Sequence, residues 1–158
     1  MHPPNPDALL LLISGLRNPK KEFRAECITK IILYEGEAVA VLIPLLHDTD
    51  WRVRYRAAEA LGLIDDARSV PDLIETCSDE KDHVRYMAAK SLGILRTSDA
   101  VPVLTSLLTD DHPYTRGIAA EGLAAIGDII GKSEIQSALE RESDPAIKER
   151  MIRSLKSF

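Results

Sequence analysis

The sequence predicts an all-α protein, a right-handed α-α superhelix of about five helical hairpins, and three observations predict it. A twelve-residue string recurs at fixed spacing, its apolar positions fall every three or four residues, and proline or acidic residues punctuate the ends of each half-repeat.

The recurrence comes first. VRYRAAEALGLI at 53–64 returns as VRYMAAKSLGIL at 84–95 and as TRGIAAEGLAAI at 115–126. Arg54, Arg85 and Arg116 are 31 residues apart, and Asp48, Asp79 and Asp110 keep the same step six positions ahead of them. Weaker copies flank these, FRAECITKIIL at 23–33 with Arg24 in the arginine place and IKERMIRSLKS at 147–157 with Lys148 there. The units run approximately over 7–36, 37–66, 67–97, 98–128 and 129–158. Residues 1–6, MHPPNP, are proline-rich and read as a flexible tail, with too little apolar surface to offset the entropy of ordering them.

Within each unit, Val53, Ala57, Leu61 and Ile64, or Val84, Ala88, Leu92 and Leu95, form the apolar stripe of a second helix. The preceding first helices carry Pro71 and Pro102 in the first turn, where the missing amide costs nothing. Pro44 falls four positions late and is expected to kink or delay the first helix of its unit. Asp48-Thr-Asp50, Ser78-Asp-Glu80 and Thr109-Asp-Asp111 offer capping oxygens between the two helices, while Asp65-Asp66, Thr97-Ser98-Asp99 and Gly127-Asp128 offer turn chemistry between units. The last step, from Arg116 to Lys148, is one residue long, and a wider connection over Ile129–Ser133 is expected to absorb it. Stacked hairpins would cover Ala58, Ala89 and Ala120, with Gly62 and Gly93 admitting close approach. First helices would then line the convex side and second helices the concave side.

The D-x-x-x-x-V-R-x-x-A-A-x-x-L-G pattern of Asp48–Gly62 and Asp79–Gly93 resembles the HEAT repeat, in the short variant named for phycobilisome lyases. The resemblance covers nearly the whole chain and implies an armadillo-like superhelix. On function it spans scaffolds, lyase subunits and regulators.

Composition narrows the classes. At 158 residues, 45% apolar and 28% charged, the chain is long enough for one buried core. Lys and Arg number 20 against 25 Asp and Glu, a net charge of −5, so the overall basic excess of a nucleic-acid binder is missing. The longest apolar runs are too short to cross a bilayer, the opening lacks the pattern of a secretory signal, and Cys27 and Cys77 lie in apolar helical patterns without CxxC spacing. A reduced cytoplasmic protein is expected, with both thiols serving as packing residues.

No catalytic constellation is visible. Neither GxSxG, a P-loop nor GxGxxG occurs. His2, His47, His83 and His112 have no His or Cys at metal spacing and none precedes Glu. The resemblance extends to deoxyhypusine hydroxylases, which carry iron on His-Glu dipeptides, and this chain has none. No metal and no cofactor is expected; His83 and His112 read as exposed cap-region residues, and the repeated Asp and Arg as a ladder that serves the stack.

The informative residues are those left outside the core stripe: positions 51, 52, 55, 56 and 59 and their equivalents in the next two units. They make Trp51, Arg52, Tyr55, Arg56, Tyr86, Met87, Lys90, Tyr114, Ile118 and Glu121 a candidate partner-binding surface, because aromatic rings flanked by arginine are typical of hot spots. Phe23 is the one aromatic expected at a core position of the aligned helices. The competing reading lays the rings against the neighbouring unit with their polar tips wet. At the open end, Leu9–Ile13 is five consecutive apolar residues, covered either by the His2–Pro6 tail or by self-association. The expectation is a non-catalytic scaffold that binds a protein or peptide on its concave surface. A bilin lyase-like subunit acting on a tetrapyrrole or a partner protein is the alternative that the resemblance implies. Nucleic-acid binding through the Arg52–Arg56 cluster stands third, because Glu59, Glu121 and the acidic turns would repel phosphates.

Overall fold

Most half-repeats become a helix whose start is set by a proline or a capping side chain. The structure, a computed structural model, describes residues 5–158, and among them ten α-helices run in order. These are α1 (Pro6–Ser14), α2 (Lys21–Ile31), α3 (Gly36–Leu42), α4 (Trp51–Ile64), α5 (Val70–Thr76), α6 (Asp82–Leu95), α7 (Val101–Leu107), α8 (Pro113–Ile126), α9 (Ile129–Arg141) and α10 (Pro145–Leu155). They pair as five hairpins in a right-handed α-α superhelix. Most of the expected N-terminal tail lies outside the described residues, as does any cover it might give the leucines; Asn5 accepts a hydrogen bond from the Asp7 amide and caps α1.

Proline behaves as its chemistry requires. Pro71 and Pro102 lie in the first turns of α5 and α7, whereas Pro44 ends the α-helical part of its unit: α3 stops at Leu42 and the chain continues as a 3-10 turn over Ile43–His47. The wider connection expected at Ile129–Ser133 is not found. Those residues are the first turns of α9, started by Asp128, whose carboxylate accepts from the Ile130 amide at 2.8 Å. In the two preceding units a 3-10 turn comes before the α-helix; here a single helix runs through the corresponding stretch.

The corners repeat as well. Asp65, Arg96 and Gly127 each leave a second helix with positive φ, and Asp66, Thr97 and Asp128 then accept an amide two residues on. Glycine suits such a corner best, and only the last of these three corners has it.

The second helices form the dense layer. α4, α6 and α8 lie side by side with α10 beyond, and the first helices α5 and α7 pack on α6 and α8. Ala57, Ala58, Ala88, Ala89, Ala119 and Ala120 are completely buried, as are Leu61, Leu92 and Leu123. Small residues set the spacing: a Cβ on Gly62 would lie 2.8 Å from the Ser91 Cα, and one on Gly93 2.9 Å from the Gly122 Cα. Ser91 uses the contact to donate its hydroxyl to the Ala58 carbonyl at 2.8 Å. Phe23, expected in the core, is 44% exposed, because among the described residues no other unit covers that side of α2. The thiols of Cys27 and Cys77 are buried, and desolvation pushes Cys77 up to about 12, which suits packing rather than chemistry.

The arginines tie one unit to the next. Arg54 donates Nε and Nη2 to the Asp79 carboxylate at 2.6 and 2.9 Å and turns Nη1 back to the Asp48 carbonyl at 2.8 Å. Arg85 repeats this with Asp110 and the Asp79 carbonyl, and Arg116 with Glu142 and the Asp110 carbonyl. The acids also accept amides at the helix starts: Asp79 from Lys81 and Asp110 from His112. They therefore close turns just ahead of the helices, and the N-cap position itself falls to Asp50, Lys81 and His112. Asp48 is taken by Arg17, and Arg24 reaches only the Asn18 and Pro19 carbonyls, so the ladder changes partners at its first rung.

Burial opposes ionisation of Asp110, but the hydrogen bonds from Arg85 and the His112 amide outweigh it and its pKa is lowered. Glu142, bonded by Arg116, is held at about 2. A carboxyl depressed in the folded state contributes stability that is present above its unfolded value and lost as pH falls. Unfolding free energy should therefore drop by on the order of 2 kcal/mol from this group between about pH 5 and about pH 2, and Glu142→Gln should flatten that slope in denaturant titrations across the range. Gly93→Ala should destabilise by about 1–3 kcal/mol in urea unfolding at neutral pH, since backbone faces the added methyl.

Candidate functional site

Stacking α4, α6 and α8 at one register leaves a limited set of side chains on the open side of the layer. Near the helix starts, rings run from unit to unit: Trp51 to His83 at 5.3 Å between centroids, His83 to His112 at 6.3 Å, and His112 to Tyr114 at 5.7 Å. Asp82 holds two of them, one oxygen 2.9 Å from His83 Nδ1 and the other 3.1 Å from His112 Nε2. Its carboxyl is lowered, chiefly by the hydrogen bond with His83. Tyr55 and Tyr86 lie half-buried beside this row, and desolvation raises the Tyr55 hydroxyl. At the equivalent place in α8, glycine stands at 117 and the Arg150 guanidinium, bonded to Glu121 at 2.8 Å, lies over it.

The ten residues expected to form a surface divide. Trp51 and Tyr55 are half-buried, Arg52 and Lys90 are exposed, Tyr86 is half-buried, Tyr114 is 61% exposed, and Glu121 is partly exposed in its pair with Arg150. Arg56, Met87 and Ile118 are buried at 8, 3 and 7% exposure, which corrects their assignment to an open surface. The three occupy one register position, 31 residues apart, on the flank pressed to neighbouring elements. Each helix taken alone leaves that flank free; lateral stacking covers it. Arg56 tolerates this because Nη1 donates to Glu59 and its guanidinium lies 5.3 Å from the Tyr55 ring centroid.

His83, His112 and Asp82 join the surface although single-helix reasoning set the histidines aside. Their signal lay in position: His83 is one repeat step before Tyr114 and lies against Trp51. A second feature also went unread. Leu33, Leu63 and Ile94, near the ends of the second helices, are 74, 50 and 40% exposed. In units 2 to 4, the exposed large apolar residues Leu63, Ile94 and Tyr114 all belong to second helices; α3, α5 and α7 show none among the described residues.

Two depressions follow the ring row. One of about 270 Å³ is lined by Lys21, Arg24, Trp51, Arg52, Tyr55, Arg56 and His83. The next, about 290 Å³, shares Tyr55 and His83 and adds Asp82, Tyr86, His112 and Tyr114. Among the described residues no cluster of three or more His, Cys, Asp or Glu is arranged to hold a metal ion, and no helix is long and apolar enough to cross a membrane.

The HEAT-repeat sequence pattern matches residues 9–82 and 39–124. The chain belongs to the HEAT-repeat family. No curated sequence relative matches this HEAT-repeat chain. Among solved structures, it is similar to a chain from the complex of CpcE and CpcF of phycocyanin lyase from Nostoc sp. PCC7120, with 20% identity, a TM-score of 0.86, and 95% of this chain and 99% of that one covered. It is similar to a designed armadillo repeat protein in complex with the peptide (KR)4, at 19% identity and TM-score 0.69, covering 96% and 82% of the two chains. Human deoxyhypusine hydroxylase in complex with glycerol is a further similar structure, at 21% identity and TM-score 0.67, covering 97% of this chain and 62% of that one. At these identities the likeness concerns the fold.

At the open end, Leu9 is buried and Leu12 and Ile13 are half-buried, while Leu10 and Leu11 are 57 and 73% exposed. The five-residue run thus does encircle α1. The two kinds of position on the second helices should separate in stability measurements: Met87→Ala should cost about 2–5 kcal/mol in chemical denaturation, and Lys90→Ala should stay within about 0.5 kcal/mol of the parent.

Proposed function

We propose that this HEAT-repeat protein is an interaction scaffold without a catalytic step, and that the open face of its second helices docks a protein or peptide partner. The observation that carries the reading is the asymmetry between the two helix layers. Across units 2 to 4 the first helices expose residues such as Ala40, Pro44, Glu75, Pro102 and Ser106, whereas the second helices expose rings near their starts and aliphatic side chains near their ends. Burying such a row in a partner is favourable by about 25 cal/mol per Å² of apolar area, and stiff rings lose little entropy in doing so. The depressions alongside the rings give room for individual side chains of the partner. Support also comes from two similar structures, one a complex with a second lyase subunit and the other a complex with a peptide.

The competing arrangement, rings laid flat between units with a bare surface, accounts for part of the burial of Tyr55 and Tyr86 but not for Tyr114 or the exposed Leu33, Leu63 and Ile94.

A photo-crosslinking amino acid at position 90 on α6 and, separately, at position 75 on α5 tests this in extract of the protein's own cells. Capture of one protein from position 90 and not from position 75 is expected. That protein, once purified, should bind Tyr86→Ala about tenfold more weakly than the parent, a loss of about 1.4 kcal/mol. Capture only from position 75, or unchanged affinity of a Tyr86→Ala variant that keeps its helical spectrum, overturns the assignment.

A further inference from the structure

The ring row is not electrically uniform, and its first depression is opposite in sign to the net charge of the chain. The protein carries a net charge of −5, yet the depression between α2 and α4 is lined by Lys21, Arg24, Arg52 and Arg56 with no carboxylate among its lining residues. Two of these charges are answered nearby: Arg52 is held by Asp50 at 2.9 Å, and Arg56 by Glu59. Neither Lys21 nor Arg24 has a carboxylate within salt-bridge distance among the described residues, although Asp50, already bonded to Arg52, acts electrostatically on Arg24. Arg24 spends Nη1 on the carbonyls of Asn18 and Pro19, at 2.6 and 3.0 Å, while its Nε is buried without any hydrogen-bond partner. A desolvated donor on a cation is costly when unmet, so the depression has a place for one more acceptor.

The sign holds only at this end of the row. The adjoining depression contains Asp82, and the face beyond it carries Glu59 and Glu121, each already bonded to an arginine. A polyanion laid along the helices would meet these carboxylates after its first contact, whereas one carboxylate with apolar neighbours would meet cations at the depression and Leu63 and Ile94 further along the face.

From this we infer that the depression between α2 and α4 is a carboxylate-binding subsite for an acidic side chain flanked by apolar residues in a peptide segment of the partner, with Lys21 and Arg24 supplying the charge and Trp51 and Tyr55 its walls. The inference rests on the second-helix docking face proposed above and gives it a chemical preference. It also assigns roles to Lys21 and Arg24, which lie outside the ring row.

Trp51 is the single tryptophan of the chain, so its fluorescence reports on this depression directly. The probes are acetyl-Ala-Leu-Glu-Leu-Ala-amide, its uncharged counterpart acetyl-Ala-Leu-Gln-Leu-Ala-amide, inorganic phosphate and a ten-nucleotide oligothymidylate. Saturable change with the glutamate peptide is expected, weakening as salt rises from about 50 to about 300 mM, with affinity about tenfold lower for the glutamine peptide. Lys21→Gln, an exposed change that leaves packing intact, and Arg24→Gln should each weaken the glutamate peptide about fivefold. Equal binding of the two peptides, no saturable change, or no effect of Lys21→Gln overturns the inference. Tighter binding of the oligonucleotide than of the glutamate peptide overturns it in favour of a nucleic-acid surface, and phosphate binding as tightly as the peptide reduces the site to one for small anions. If the crosslinking at position 90 succeeds while the glutamate peptide fails, the docking face stands and only its preference for acid falls.

Discussion

The structure depends on satisfying a largely buried guanidinium in each of units 2 to 4. Arg54, Arg85 and Arg116 sit where adjacent second helices meet the loops ahead of them, and each must place its donors with little help from bulk water. Two donors go forward to a carboxylate of the next unit and one goes back to the carbonyl six residues earlier. That division links three segments of chain at one point, so neither a hairpin nor its neighbour can slide without stranding charge. The carboxylate is committed too, closing the turn that starts the next second helix. Aspartate does this at 79 and 110, and the longer glutamate at 142 reaches the same place after the repeat has gained a residue.

With register held at the loops, the middle of each second helix is free to be small. Alanine and glycine at the α4–α6 and α6–α8 contacts bring backbones close, and the bulky apolar residues are displaced to the contact with the first helices or to the open face. The functional surface is a consequence of that economy of volume. In units 2 to 4, rings and aliphatic chains that have no room between the helices stand in rows on one side, at steps set by the repeat.

Charge then distinguishes one stretch of this surface from another. Along units 3 and 4 the carboxylates of the face are already bonded: His83 and His112 share Asp82, and Arg150 takes Glu121. At the first rung, where Arg17 rather than Arg24 holds Asp48, the pattern breaks, and the arginine released from it lines a depression beside Lys21 and Trp51. A departure from the repeat therefore coincides with the electrostatic distinction of the site, as local rules tend to be broken where a repeat array does more than stack.

Much of the architecture was legible without coordinates. The 31-residue recurrence, the prolines in first turns, the delay at Pro44 and the role of the Asp–Arg pairs all follow from local chemistry repeated at fixed spacing. Position in the chain also identified Trp51, Tyr55, Tyr86 and Tyr114 as lying outside the core stripe. What no single helix could disclose is what its flank meets. Arg56, Met87 and Ile118 look outward on isolated helices and are covered by lateral stacking, and Phe23 looks buried by alignment but has no other unit to cover it among the described residues. The gathering of Lys21 and Arg24 beside Trp51 likewise joins residues from two units. Periodicity along the chain determined that hairpins repeat and which stripe of each is apolar; only packing between hairpins decided which remaining side chains see solvent, because burial is a property of neighbours and not of a residue's own helix.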